Sequence, residues 1–252
     1  TTVVLLHDQG ESRAVLRELA LALQTPTDPQ AHRRAVVTVD LRGHGDSKTA
    51  LGYDDAPIEL DATQFRQEDY ENMVGFDMEA IRSFLVEQND GKKLNLNKLS
   101  LAGCGMGATI AAIWAAQDWA TPPLAVRKQG QDVKALALVS PAWSYKGLAL
   151  NLALRQPDVR QRVSLLLAYG DQSRDAARDA RNILRNVEKF HPAPPADEGV
   201  TRKTLFVYEY PTTLQGTALV TKSEFALAPK LDEFLALRVD RIDFPWVGRK
   251  VK

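Results

Sequence analysis

The sequence predicts an α/β fold: a doubly wound, mostly parallel six-stranded sheet flanked by helices. Three observations lead there. Short β-branched and aliphatic runs alternate with longer amphipathic ones, the order that builds βαβ units. The chain has 252 residues and is 44% hydrophobic, enough for one well-filled core and near the length at which chains divide, so residues 1–252 are expected to form a single domain. Only two polar stretches interrupt the alternation.

Strands are expected at residues 2–7, 35–40, 98–103, 134–140, 163–169 and 204–210, where apolar runs are short and rich in Val, Leu and Ala. Helical spacing appears at residues 12–24, 69–88, 106–118, 174–190 and 223–237. The stretch 49–66, with Gly52 and Pro57, and the stretch 191–199, with Pro192, Pro194 and Pro195, read as surface loops. No internal repeat is evident.

Composition removes several function classes. Lys plus Arg and Asp plus Glu both number 32, so no net field recruits a phosphate backbone, and nucleic acid is not an expected partner. Cys104 is the only cysteine, which excludes an intramolecular disulfide, and the 4 histidines are scattered, so neither a metal site nor a cofactor is expected. No apolar run approaches the roughly 18 residues of a membrane span. The opening Thr1-Thr2-Val3-Val4 lacks the charged start of a signal peptide. Because the chain begins without Met and enters a strand at once, its N-terminus reads as truncated; a signal peptide lost there leaves the compartment undetermined.

Chemistry concentrates in turns that follow strands. Leu101-Ala102-Gly103-Cys104-Gly105-Met106-Gly107-Ala108 ends a strand and opens a helix. It resembles the nucleophile elbow, G-x-S-x-G, of the α/β-hydrolase superfamily, in particular its lidless, dienelactone-hydrolase- or esterase-like members. The outer glycines of that elbow relieve collisions between strand and helix, and its serine is the nucleophile. Here Gly103 and Gly107 match, and the serine position is Gly105.

A second match is Asp40-Leu41-Arg42-Gly43-His44-Gly45-Asp46-Ser47, similar to the family's D-x-R-G-x-G-x-S turn, where Arg42, Asp46 and Ser47 are expected to tie the loop by side-chain to backbone bonds. His44 is expected to hold that loop rather than act as a base. A third is His7-Asp8-Gln9-Gly10, similar to the H-G-x-G loop that lends one amide to the oxyanion hole. By this resemblance Gln9 and Met106 supply the hole's amides. Asp8 stands where glycine is usual; pointing inward it would repel a developing oxyanion, and otherwise it faces water or caps the helix near Ser12.

The resemblance places the acid two or three residues after Gly170, at Ser173, with Asp171 nearby. It places the base in the stretch Leu214-Gln215-Gly216, at Gln215, whose amide accepts no proton near neutral pH. Gly105, Ser173 and Gln215 together imply a degenerate triad and an enzyme activity that is absent or feeble. The expected pocket is lined by Asp8, Gln9, Cys104, Gly105, Met106, Trp143, Tyr145, Asp171 and Gln215, at the point where the strand order reverses. Between the fourth and fifth strands there is room for one short helix, near residues 146–156, and not for a large lid.

The family's first two strands are missing, which leaves residues 35–40 as an exposed edge open to a protein partner or a second copy. The reading is therefore a non-catalytic member that binds a small molecule or a partner. Two alternatives stay open. Cys104 could serve an atypical esterase, although glycines would then be wanted at Ala102 and Met106. Gly103-Cys104-Gly105-Met106-Gly107-Ala108 also satisfies G-x-G-x-x-A, the dinucleotide fingerprint, but without the acidic residue about 20 positions on that binds a ribose.

Overall fold

Six apolar segments become the strands of one sheet. They are β1 (Thr2–Leu6), β2 (Ala35–Val39), β3 (Leu99–Cys104), β4 (Val133–Val139), β5 (Ser164–Gly170) and β6 (Leu205–Tyr210). All neighbours are parallel, in the order β6-β5-β4-β3-β1-β2. The computed structural model describes residues 1–30, 33–52, 54–122, 124, 127–195 and 199–249; residues 196–198 of the proline-rich stretch lie outside these.

The strands read as continuous apolar runs because both faces of the sheet are covered. Val4 and Leu6 pack on one face with Leu101, Leu136 and Leu167, under helices α2 (Met78–Asp90), α3 (Met106–Ala120) and α4 (Arg174–Val187). Val3 and Leu5 point to the other, with Cys104, Ala137 and Phe206, under α1 (Arg17–Gln24) and α5 (Leu227–Leu235). Side chains alternate across a strand, so two cores form.

Departures from the expected elements are local. The helix expected over 69–88 is a helix at Gln67–Asn72, a π turn at Met73–Asp77 that contains Gly75, and α2. The stretch 49–66 holds a small exposed hairpin, Thr49–Leu51 against Pro57–Glu59. Between β4 and β5 lie a two-residue hairpin and the short helices Leu150–Ala153 and Pro157–Arg162.

The chain's order of travel fixes where a site can form. From β1 it steps outward to β2 and then crosses to β3 on the other side of β1. Leu6 pairs with both Val39 and Gly103, so β1, β2 and β3 end together, and the turns after them meet at one edge. β2 forms one border of the sheet. At the opposite end, before β4, the buried Asp132 pairs with Lys128 at 2.6 Å and with Arg249 at 2.7 Å, beside Asp118.

Candidate functional site: a carboxylate in a two-amide cradle

The turn after β3 is sharp. Gly105 has φ 49° and ψ −113°, its N–H donates to the Val139 carbonyl at 2.9 Å, and Met106 opens α3. Crowding explains the flanking glycines: a Cβ on Gly103 would lie 2.4 Å from the Gly107 carbonyl carbon, and one on Gly107 would lie 2.5 Å from the His7 carbonyl oxygen.

Beside this turn, the first residues after β1 place a charge. Asp8 Oδ1 accepts from Gln9 N at 2.7 Å and from Met106 N at 2.8 Å. The carboxylate therefore turns toward the elbow on a partly exposed residue and does not cap the helix that follows Ser12, whose own cap makes no side-chain bond. Two backbone donors converge there, and a carboxylate oxygen satisfies both.

The space it fills is made by two glycines. A Cβ on Gly105 would meet Asp8 Oδ2 at 2.0 Å, and one on Gly216 would meet it at 2.6 Å. Gly216, with φ 58° and ψ −134°, has nearly the conformation of Gly105. Asp8 thus sits in a slot between two glycine turns. Its amide donates to Glu11 Oε2 at 3.2 Å, and Glu11 N returns a bond to the Asp8 carbonyl at 3.3 Å. Glu11 also accepts from the Thr217 hydroxyl. Burial raises the Asp8 pKa; the two amide bonds oppose this, the Glu11 charge adds to it, and the net shift is upward.

Around this slot the other side chains are satisfied. Gln215 Oε1 accepts from Ser140 Oγ at 2.7 Å and Gly170 N at 3.2 Å, while its Nε2 donates to the Gly170 carbonyl at 2.8 Å. It bridges the ends of β4 and β5. Ser173 caps α4 by accepting from Ala176 N at 3.4 Å, and Asp171 is exposed. Tyr145 donates to Gln9 Oε1 at 3.2 Å and lies edge-on to Tyr70, 5.5 Å between ring centres. Trp143 N donates to Asp179 at 3.0 Å.

Cys104 points the other way, 3% exposed in the core beneath α1 and α5. Burial, followed by the charges of Asp8 and Glu11, pushes its thiol well above the usual range.

Each of three imidazoles, those of His7, His44 and His191, has a hydrogen-bond partner of its own. His7 Nε2 accepts from Leu41 N at 3.1 Å, so Nδ1 is the donor to the Asp8 carbonyl at 2.7 Å. Burial lowers its pKa. His44 Nδ1 donates to the Arg42 carbonyl at 2.8 Å, and His191 Nδ1 pairs with Thr204 Oγ1 at 2.9 Å, at the start of β6.

In the turn after β2 the ties differ from the side-chain to backbone bonds expected of Arg42, Asp46 and Ser47. Arg42 grips the Asp77 carboxylate at 2.8 and 2.6 Å. Asp40 accepts from Arg13 N at 2.6 Å and Asp46 N at 3.0 Å and pairs with the Arg13 guanidinium at 2.7 Å. The Asp46 carboxylate reaches out to Arg13 instead.

Over residues 1–248 the sequence matches the family described as alpha/beta hydrolase fold. The chain belongs to the α/β-hydrolase family. Solved structures repeat the architecture. A dienelactone hydrolase from Anabaena variabilis has TM-score 0.52 and 17% identity, covering 94% of this chain and 86% of that one. An esterase from Pyrococcus furiosus has TM-score 0.60 and 12% identity, covering 95% and 83%. No curated protein matches the chain.

Within the α/β-hydrolase frame, the structure brings Asp8, Gln9, Gly105, Met106 and the 215–216 turn together, with Tyr145 at the margin. Sequence reasoning missed Glu11, Thr217 and Tyr70. Glu11 had a signal, since Asp8-x-x-Glu11 has the spacing of a reciprocal capping pair; the other two are brought in by distant segments. Among the described residues no group of three or more His, Cys, Asp or Glu could hold a metal ion, and no helix is long and apolar enough to cross a membrane.

Proposed function

We propose that this α/β-hydrolase-fold protein is non-catalytic and acts by binding a small molecule or a partner. The observation that supports this reading most is the Asp8 carboxylate bonded to both Gln9 N and Met106 N. In acyl transfer such amides stabilise a tetrahedral oxyanion, and one donor alone is worth a factor of about 100–1,000 in turnover. Here an internal anion takes both donors. A second oxyanion would have to form against a fixed negative charge.

The neighbouring positions point the same way. Gly105 carries no nucleophile, and Gln215 is committed to Ser140 and Gly170. Loss of a whole triad costs about a million-fold in turnover. Rescue by Cys104 would require a thiolate in an apolar core, where burial favours the neutral thiol. The dinucleotide reading also suffers, because the Met106 amide at the start of α3, where a pyrophosphate would bind, is held by Asp8.

Turnover of p-nitrophenyl acetate by the wild type and by Cys104→Ala tests this reading. Neither protein should exceed the buffer rate; a wild-type rate well above it would overturn the proposal, and its loss in Cys104→Ala would identify a thiol enzyme. A metabolite panel scored by melting temperature tests the binding half, since a ligand that binds only the native state raises it.

A further inference from the structure

Between α1 and the start of α5, the second core comes to the surface in a crevice of 360 Å³. Its size lies within the usual range for small-molecule sites, about 300–1,000 Å³. One wall carries Val15 and Leu19, four positions apart and so on one side of the helical turns that lead into α1. The other carries Val220, from the short helix Thr217–Thr221, and Leu227, Ala228 and Pro229 from the first turn of α5. Ala226, with φ 47° and ψ 37°, makes the turn into α5, and the short side chains at positions 226 and 228 leave the gap between the walls open.

The floor of this crevice is also the roof of a space within the core. Leu19, Val220 and Leu227 line both, and the inner space, of 10 Å³, continues to Leu5, Cys104 and Leu166. Water held in such a space needs two to four polar partners. The side chains around this one are aliphatic except for the Cys104 thiol, so it suits a methyl or methylene group instead. At the outer rim lie Thr221, Ser223 and the exposed ammonium of Lys222. Among the described residues Lys222 has no carboxylate partner, whereas the one acid in the lining, Glu18, has Arg17 at 3.8 Å.

We propose that this crevice binds a medium-chain aliphatic carboxylate, its chain between α1 and α5 with the methyl end toward Leu19, Val220 and Leu227, and its carboxylate at Lys222. Each part of such a ligand meets its own chemistry. Burying the chain is favourable in proportion to the apolar area it removes from water, and the head stays hydrated beside an opposite charge. A cationic head would meet Lys222 with the wrong sign, and a wholly polar metabolite would leave the aliphatic walls uncovered. The inference rests on the binding reading above and supplies its ligand class. It places the ligand on the face of the sheet toward which Cys104 points, and not in the slot that Asp8 fills.

The test is calorimetric titration at pH 8 and low salt with butanoate, hexanoate and octanoate, with octanol and octylammonium as probes of the head group. Octanoate should bind saturably, and affinity should rise roughly tenfold for each two methylenes added. Octanol should bind more weakly than octanoate, and octylammonium more weakly still. Ala228→Trp, at a half-buried position on the wall, should fill the crevice and weaken octanoate roughly tenfold or more. Lys222→Gln, at an exposed position, should weaken octanoate roughly threefold and leave octanol unchanged. Silence of octanoate, an affinity independent of chain length, octanoate binding unchanged in either variant, or octanol or octylammonium binding as tightly as octanoate would overturn the inference. The chain-length series and Lys222→Gln decide alone if Ala228→Trp does not fold. Silent octanoate together with a hit from the wider metabolite panel would end this inference and leave the binding reading standing. A panel silent throughout would end both it and the small-molecule half of that reading.

Discussion

Two adjacent parallel strands each end in an aspartate that turns inward, and the two differ in one respect. Asp8, after β1, accepts two backbone amides and fills the space of a missing Cβ on Gly105. Asp40, after β2, also accepts two backbone amides and fills the space of a missing Cβ on Gly45, which would lie 2.3 Å from its carboxyl. Asp40 has the Arg13 guanidinium at 2.7 Å; Asp8 has Glu11 on its own turn. Burial works against ionisation at both. At Asp40 the amide bonds and Arg13 outweigh it and hold the carboxyl below the usual range; at Asp8 they do not, and it rises. The same local geometry yields an architectural clamp where a counter-charge is present and an energetically costly plug where it is absent.

The largest expected effect breaks the likeness between the two. Gly105→Ala and Gly45→Ala should each cost about 2–5 kcal/mol, from left-handed backbone and overpacking together. Pairing Gly105→Ala with Asp8→Gly should recover about 1–2 kcal/mol, a coupling expected of groups in contact. Pairing Gly45→Ala with Asp40→Gly should recover nothing, because Asp40 itself holds the loop. Denaturant unfolding of the four single and two double variants checks this, and equal recovery at both sites would remove the distinction.

A smaller effect separates the charges. Asp40→Asn should cost about 2 kcal/mol through loss of charge-assisted bonds. Asp8→Asn keeps an acceptor for both amides and removes a partly buried charge that has no counter-ion, so its effect should stay within about 1 kcal/mol of zero. Asp8→Asn as the more damaging of the two would contradict the account.

The pH dependences should have opposite signs. Asp40 has a lowered native pKa, so its contribution is present above the ordinary value of 3.8 and is lost as pH falls through the native value. Asp8 has a raised one, so its contribution is complete below 3.8 and is lost as pH rises through the native value. The stability of Asp8→Asn relative to wild type should therefore grow as pH rises from about 3.8, and that of Asp40→Asn should shrink as pH rises toward about 3.8. Asp118, pushed to about 6 by burial and by the Asp132 charge, has the sign of Asp8. Asp118→Asn should therefore flatten the wild-type profile between pH 4 and 6, as thermal unfolding across that range would show.

The sheet was legible because its strands are covered on both faces and so read as unbroken apolar runs, as Leu165-Leu166-Leu167 does in β5. Boundaries were less so: the π turn at Met73–Asp77 sits inside an apolar spacing that looks continuous. At the site, Gly103 and Gly107 announced a sharp turn through their spacing alone. The direction of the Asp8 side chain was not legible. It depends on the vacant volume at Gly105 and Gly216, positions 97 and 208 residues further along the chain, and on the Met106 amide. Likewise the sequence of the turn after β2 did not show that Asp40 would take the bonds expected of Asp46 and Ser47, because Arg13 comes from a different turn.

The most direct measurement is the pH titration of the Gln9 and Met106 amide protons by NMR in wild type and Asp8→Asn. If the carboxylate fills the cradle, both amides should move together in the wild type, with one midpoint above 3.8, stay fixed in Asp8→Asn, and ignore added acetate. Amides that do not respond to pH in the wild type but shift on addition of acetate would show an open oxyanion hole, and the non-catalytic reading would lose its main support.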